Sequence, residues 1–209
     1  MEILEKVAHL ENPELIYRFL EQNLDKLDEN FIEILDIWGN DTLSSVDTEI
    51  AQNIAYNLGL LSHIIQGFSQ GNIAINQEIV IRGCEIALTA FPMEAFPKEW
   101  AITQYNLGNA YSQRIRGDEA ENLERALTAC TEALTVYTLE AYPQDWARIK
   151  SHLALAYYLR KRGDKAENLE RAIAGYTEAL TVYTFETFPE HWAEIQYRLA
   201  LAYYLRKRR

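Results

Sequence analysis

The chain has 209 residues, 48% of them hydrophobic, and a formal net charge of −11. That suffices for an ample core, and the acidic balance argues against nucleic acid as a partner, since such binding needs a clustered basic face. No run approaches the roughly 18 apolar residues of a membrane span, and the opening Glu2 and Glu5 do not read as a secretory leader, so a cytoplasmic protein is expected, with no membrane partner.

The charge is unevenly placed. Residues 1–50 hold 13 acidic and 3 basic side chains, whereas residues 51–209 hold 18 and 17. The acidic head reads as short amphipathic helices. The first covers 2–11 with Ile3, Leu4, Val7, Ala8 and Leu10. The second starts at Pro13, which suits a first helical turn, and carries Leu15, Ile16, Phe19, Leu20 and Leu24 on one stripe. A third, near 29–38, holds Phe31, Ile32, Ile34, Leu35, Ile37 and Trp38. It is expected to end at Gly39-Asn40-Asp41, where Gly and Asn can take the left-handed conformation that closes a helix.

Beyond the head the chain repeats itself with a period of 46 residues. Phe96-Pro97-Lys98-Glu99-Trp100-Ala101 returns as Tyr142-Pro143-Gln144-Asp145-Trp146-Ala147 and as Phe188-Pro189-Glu190-His191-Trp192-Ala193. Ala120-Glu121-Asn122-Leu123-Glu124-Arg125-Ala126 returns as Ala166-Glu167-Asn168-Leu169-Glu170-Arg171-Ala172. Self-similarity at such a period marks stacked supersecondary units. Each copy predicts two helices. One runs from the proline to about Arg116 or Arg162, with Trp146, Leu153, Ala154 and Tyr157 on one face, and the tryptophans are expected to be large buried groups. The other follows Gly163 and the cap Asp164, and carries Ala172, Ile173, Tyr176, Ala179, Leu180 and Tyr183. Residues 49–94 keep a decayed copy, with Ile54 in the tryptophan position. No segment alternates with period two.

Catalytic and metal chemistry find little support. His9, His63, His152 and His191 are scattered, with no ligand spacing, so neither a metal nor another cofactor is expected. Cys84 and Cys130 stand one period apart, about 10 Å for stacked helix pairs, too far for a disulfide, and read as reduced core residues. Glu121, Glu124, Glu167 and Glu170 recur with the fold and read as solvated helix starts. Arg160-Lys161-Arg162 and Arg206-Lys207-Arg208-Arg209 read as helix C-termini, where cations are favoured. Nothing in the chain points to an enzyme.

Asn106-Leu107-Gly108-Asn109-Ala110-Tyr111, followed by Ala126, Cys130 and Ala133, resembles the tetratricopeptide signature. The longer pattern, Phe-Pro-x-x-Trp-Ala with Arg-Gly-Asp-x-Ala-Glu-Asn-Leu-Glu, is similar to long repeats of cyanobacterial proteins, which often precede a caspase-like CHAT peptidase domain. The head segment Leu20–Leu27 also resembles the stretch before such repeats. The resemblance implies an all-α, right-handed α-solenoid of antiparallel helix pairs with an N-terminal helical cap. The cap covers 1–48 and the array 49–209, as a degenerate repeat 49–94, repeats 95–140 and 141–186, and a half repeat 187–209.

The same resemblance implies a non-catalytic protein-interaction module. Its groove would be lined by the first helix of each pair and would bind a peptide or helix through Tyr105, Asn109, Arg148, Leu155, Tyr158, Tyr197, Leu201 and Tyr204, with Ile102, Ser151 and Glu194 among the other groove positions. The alternative is a regulatory or oligomerisation segment for a downstream CHAT-type domain. Because Pro189–Arg209 is a first helix with no second helix after it, a homodimer is expected through its stripe of Trp192, Ile195, Leu199 and Tyr203.

Overall fold

A computed structural model gives the architecture. The structure describes Ile3, Lys6, Val7, Leu10 and residues 12–208, apart from the side chains of Pro13 and Asn40. Every regular element among the described residues is helical. The chain falls into two compact units, Met1–Arg116 and Gly117–Arg209.

The first unit holds α1 (Pro13–Glu21), a 3-10 turn (Leu24–Lys26), α2 (Glu29–Ser45), α3 (Thr48–Gln66), α4 (Ile73–Ala90) and α5 (Pro97–Gln113). Asn12, Asp28, Asp47 and Asn72 cap the first four helices, each side chain accepting from a backbone N–H of the first turn. Of the helix expected over 2–11, Ile3, Lys6 and Val7 are described and helical, with Ile3 and Val7 buried, whereas Leu10 is described and not helical; the rest lies outside the described residues. Helix α2 does not stop at Gly39 but runs on to Ser45. The glycine serves packing instead, since a Cβ there would lie 2.8 Å from Cδ1 of Ile86 on α4. Helices α3 and α4 form a tight hairpin, with Leu58, Leu61 and Ile65 facing Ile79, Val80 and Cys84 in the core. Helix α5 packs on α4, and Arg114, the first residue past its end, makes a 2.8 Å ion pair with Glu78.

The second unit holds α6 (Glu119–Ala133), α7 (Pro143–Leu159), α8 (Lys165–Ala179) and α9 (Pro189–Lys207). Helix α7 packs on α6 and on α8, and α9 on α8. The α7–α8 approach is close: a Cβ on Gly175 would meet the Cβ of Ala154 at 3.0 Å. Around that contact lie Ala147, Ala172, Tyr176, Ala179, Tyr183 and Ile195. Helices α5 and α7 end at Gln113 and Leu159, three residues earlier than the sequence suggests. The following arginines, Arg114 and Arg160, leave helical geometry and reach back to a glutamate 36 positions earlier. Arg160 makes two hydrogen bonds, 2.8 and 2.7 Å, to Glu124, and Arg206 repeats the pairing with Glu170. Glu124 is thus no solvated helix start: the Arg160 guanidinium holds its carboxyl below the ordinary carboxylate range. Glu121 and Glu167 do lie exposed, paired to Arg125 and Arg171 one turn on.

The 46-residue period reappears in the connections. Gly71, Gly117 and Gly163 all have φ of 77°, which only glycine adopts without strain. Asn76, Asn122 and Asn168 are all buried, and the Asn168 amide donates at 2.8 Å to the carbonyl of Arg162, pinning the loop to the helix it precedes. The second helix of each pair stops at Ala133 or Ala179, before Tyr183, which the sequence pattern places inside it. Tyr183 lies buried in the connection, edge-on to Phe188, as Phe91 does to Phe96 and Tyr137 to Tyr142. The tryptophans are half-buried, not core groups: Trp146 carries the Lys150 ammonium 5.4 Å above its ring, and Trp192 stands against Phe185. Cys84 and Cys130 are both free and buried, and burial pushes each thiol up to about 12.

Candidate protein-interaction site

Each unit has an opening between two first helices. In the first unit the cavity measures about 290 Å³. Helix α3 supplies Tyr56, Gly59, Leu60 and His63, helix α5 supplies Glu99, Ile102, Thr103 and Asn106, and Phe91 closes one end. Its walls are apolar. Among its polar lining residues, which include His63, Glu99 and Thr103, Asn106 is 3% exposed and its Oδ1 has no hydrogen-bond partner.

In the second unit the opening lies between α7 and α9 and measures about 50 Å³. Arg148, Ser151, His152 and Leu155 come from α7, His191, Glu194, Ile195 and Arg198 from α9, and Tyr183 from the connection between α8 and α9. Charged pairs hold this site: Arg148 to Asp145 at 2.6 Å and Arg198 to Glu194 at 2.7 Å. The Tyr183 hydroxyl donates to the carbonyl of Gln144 at 3.0 Å, and its ring stacks on His191. Burial pushes the His152 imidazole down to about 4, with positive Arg198 and Arg148 adding to the effect. Tyr176 of α8 is fully buried, and burial pushes its phenol up to about 12.

The two openings are one site in the repeat register. Two periods separate Tyr56 from Arg148, Gly59 from Ser151, Leu60 from His152, Phe91 from Tyr183, Glu99 from His191, Ile102 from Glu194 and Asn106 from Arg198. Equivalent backbone thus carries opposite surfaces.

Residues 100–134 and 146–181 match the family model of the tetratricopeptide repeat. These two segments are tetratricopeptide-like. No curated protein and no solved structure matches the chain. The second matched segment covers α7, from Trp146, and α8, and tetratricopeptide repeats generally act as protein-interaction modules.

Among the groove residues expected of such repeats, Arg148 and Leu155 do line the second opening, as do Ser151 and Glu194, and Ile102 lines the first. Others are placed elsewhere. Tyr105 is 6% exposed and forms core instead of groove surface. Asn109 bonds to Gln66 and Gln113. Tyr158 is half-buried beside Lys165, whose ammonium bonds its carbonyl. Leu201 is half-buried, while Tyr197 and Tyr204 are exposed on α9. Of the residues assigned to self-association, Ile195 is 2% exposed and offers no free face, Leu199 is half-buried against the core, Trp192 is half-buried beside Phe185, and Tyr203 is exposed. Sequence reasoning missed Tyr56, Leu60, Phe91 and Asn106, and in the second unit His152, Tyr183, His191 and Arg198. Counting two periods back from Arg148, Ser151 and His152 leads to Tyr56, Gly59 and Leu60, a signal hidden by the decay of the early copy.

Proposed function

We propose that this protein is a non-catalytic interaction module whose first helices, α3 and α5 in one unit and α7 and α9 in the other, present groove surfaces to a peptide or a helix. The observation that carries the reading is the recurrence of one opening at equivalent positions two periods apart, together with the tetratricopeptide match. Cap 1–48 and array 49–209 serve as support. Among the described residues no helix is long and apolar enough to cross a membrane, and a reducing, cytoplasmic setting suits the buried free thiols. Selection of a displayed peptide library on the whole chain tests it. Enriched peptides should weaken at least about tenfold on Ile102→Glu or Leu155→Glu and stay unchanged on Ile37→Glu, an exposed site on α2. Binders indifferent to both groove changes, or no binders, would overturn it.

A second reading is favoured by one feature, the exposure of Tyr197, Tyr203 and Tyr204 on α9, at 67%, 42% and 52%. On it the chain is an oligomerisation or regulatory segment, pairing with a second copy or with a catalytic domain of the CHAT type. A monomer by sedimentation at about 50 μM, unchanged by Tyr197→Glu and Tyr204→Glu, would end the self-pairing form of this reading.

A further inference from the structure

We propose that the opening in the first unit seats a tryptophan side chain carried by a basic peptide segment. The cavity, about 290 Å³, stands at the lower edge of the ~300–1,000 Å³ typical of ligand pockets, a scale that suits one large side chain. Tyr56, Leu60, Phe91 and Ile102 give it apolar and aromatic walls. Gly59 leaves the wall open: a Cβ added there would meet nothing within 4 Å.

The polar requirement comes from Asn106. Asn106 lines the cavity and is 97% buried, and its Oδ1 accepts no hydrogen bond. Buried carbonyl oxygens in native proteins almost always find a donor, so whatever fills this cavity has to supply one. Aliphatic side chains and phenylalanine have no donor, while lysine and arginine would bring a charge against apolar walls and find their partner at the mouth, in Glu99. Tryptophan joins a large apolar body to one N–H and no acceptor. The indole N–H donates to Asn106 Oδ1.

The basic flank follows from charge. Glu99 is exposed at the mouth and makes no ion pair among the described residues. Residues 1–116 hold 17 acidic and 7 basic side chains, so the whole unit draws cations. Tyr56, 64% exposed at the rim, adds a ring face for a lysine or arginine next to the anchor.

The pocket's role rests on the groove reading above. The test is a titration of the isotope-labelled chain, by NMR, with acetyl-Lys-Trp-Lys-amide. Saturable shifts are expected at Gly59, Leu60, Ile102 and Asn106. Affinity should fall about tenfold for acetyl-Lys-Phe-Lys-amide, which lacks the donor, and at least about threefold for acetyl-Glu-Trp-Glu-amide. Gly59→Leu should fold normally and abolish the shifts by filling the space, while Asn106→Leu should bind Trp and Phe peptides equally. The assignment is overturned by no saturable shift at about 5 mM peptide, enough to fill any site tighter than about 1 mM. It is equally overturned by a Trp preference that survives Asn106→Leu. Library peptides that depend on Ile102 but carry no tryptophan would sink this assignment alone. An empty selection with no response to the tripeptide would sink the groove reading as well.

Discussion

The openings in the two units differ only in what stands in equivalent positions. In the first, Leu60, Ile102 and Asn106 leave an apolar hollow of about 290 Å³; in the second, His152, Glu194 and Arg198 nearly close it, to about 50 Å³. A buried position of the second helix differs too. Cys84 of α4 stands two periods before Tyr176 of α8, so a small buried side chain in one unit takes the place of a fully buried ring in the other. The helix pairs set the backbone, through recurring glycine turns, capping residues and arginine–glutamate staples, and the exchanged columns set the chemistry. A repeat scaffold can thus hold unlike sites without any change of architecture.

The largest effect should come from reversing that buried exchange. Tyr176→Ala removes a side chain with no exposed surface, and large aromatic truncations cost about 3–5 kcal/mol. Hydrogen exchange should show α7 and α8 losing protection by that amount while α3 and α4 keep theirs. A loss under about 1 kcal/mol would mean that α7 and α8 close over the gap, and that column size does not set the hollow.

The elements themselves were largely legible in the sequence, because proline, glycine and capping Asp or Asn mark helix limits by local chemistry that needs no partner. The 46-residue period likewise carried the pairing of helices. What failed depended on contacts across elements. Gly39 looked like a helix stop and proved to be a place where Ile86 needs room. Arg160 looked like a helix end and proved to be the staple to Glu124. Tyr105 fell on the expected groove stripe but turns inward, since residues three or four positions apart on a helix divide between two neighbours. The first unit's opening was unread because its own copy of the repeat has lost the proline and the tryptophan that set the register.

A middle-sized effect separates the two sites by pH. His152 stands where the first unit has Leu60, and burial with two nearby guanidiniums holds its imidazole down at about 4. The unfolded imidazole titrates near 6.5, so as pH falls below that value the unfolded chain takes up a proton that the folded chain refuses. Stability of the second unit is therefore lost on acidification between about 6.5 and 4, and regained by none of it above 7. At pH 5 the loss should be about 2 kcal/mol from this group. His152→Leu, which copies Leu60, should remove that component. Urea midpoints of both proteins at pH 7 and pH 5 give the comparison, and an equal acid loss in the two would show that His152 ionises freely when folded.

The smallest effect contrasts two helical glycines. Gly59 on α3 faces the open hollow, and a Cβ there touches nothing within 4 Å. Gly175 on α8 sits where a Cβ would come to 3.0 Å from Ala154 and 3.3 Å from the carbonyl of Lys150. Glycine in a helix interior costs about 0.5–1 kcal/mol relative to alanine, through the extra freedom of the unfolded chain. At Gly59 that gain is unopposed, so Gly59→Ala should raise stability by about 0.5–1 kcal/mol. At Gly175 the neighbour is helix backbone and a methyl carbon, neither of which can swing away, so Gly175→Ala should show no gain or a net loss as α7 is pushed outward. Thermal melts of the two variants against the parent decide it. A rise for both would mean that α7 and α8 have slack between them, and that the closed state of the second unit's site comes from its polar side chains alone and not from tight packing of those helices.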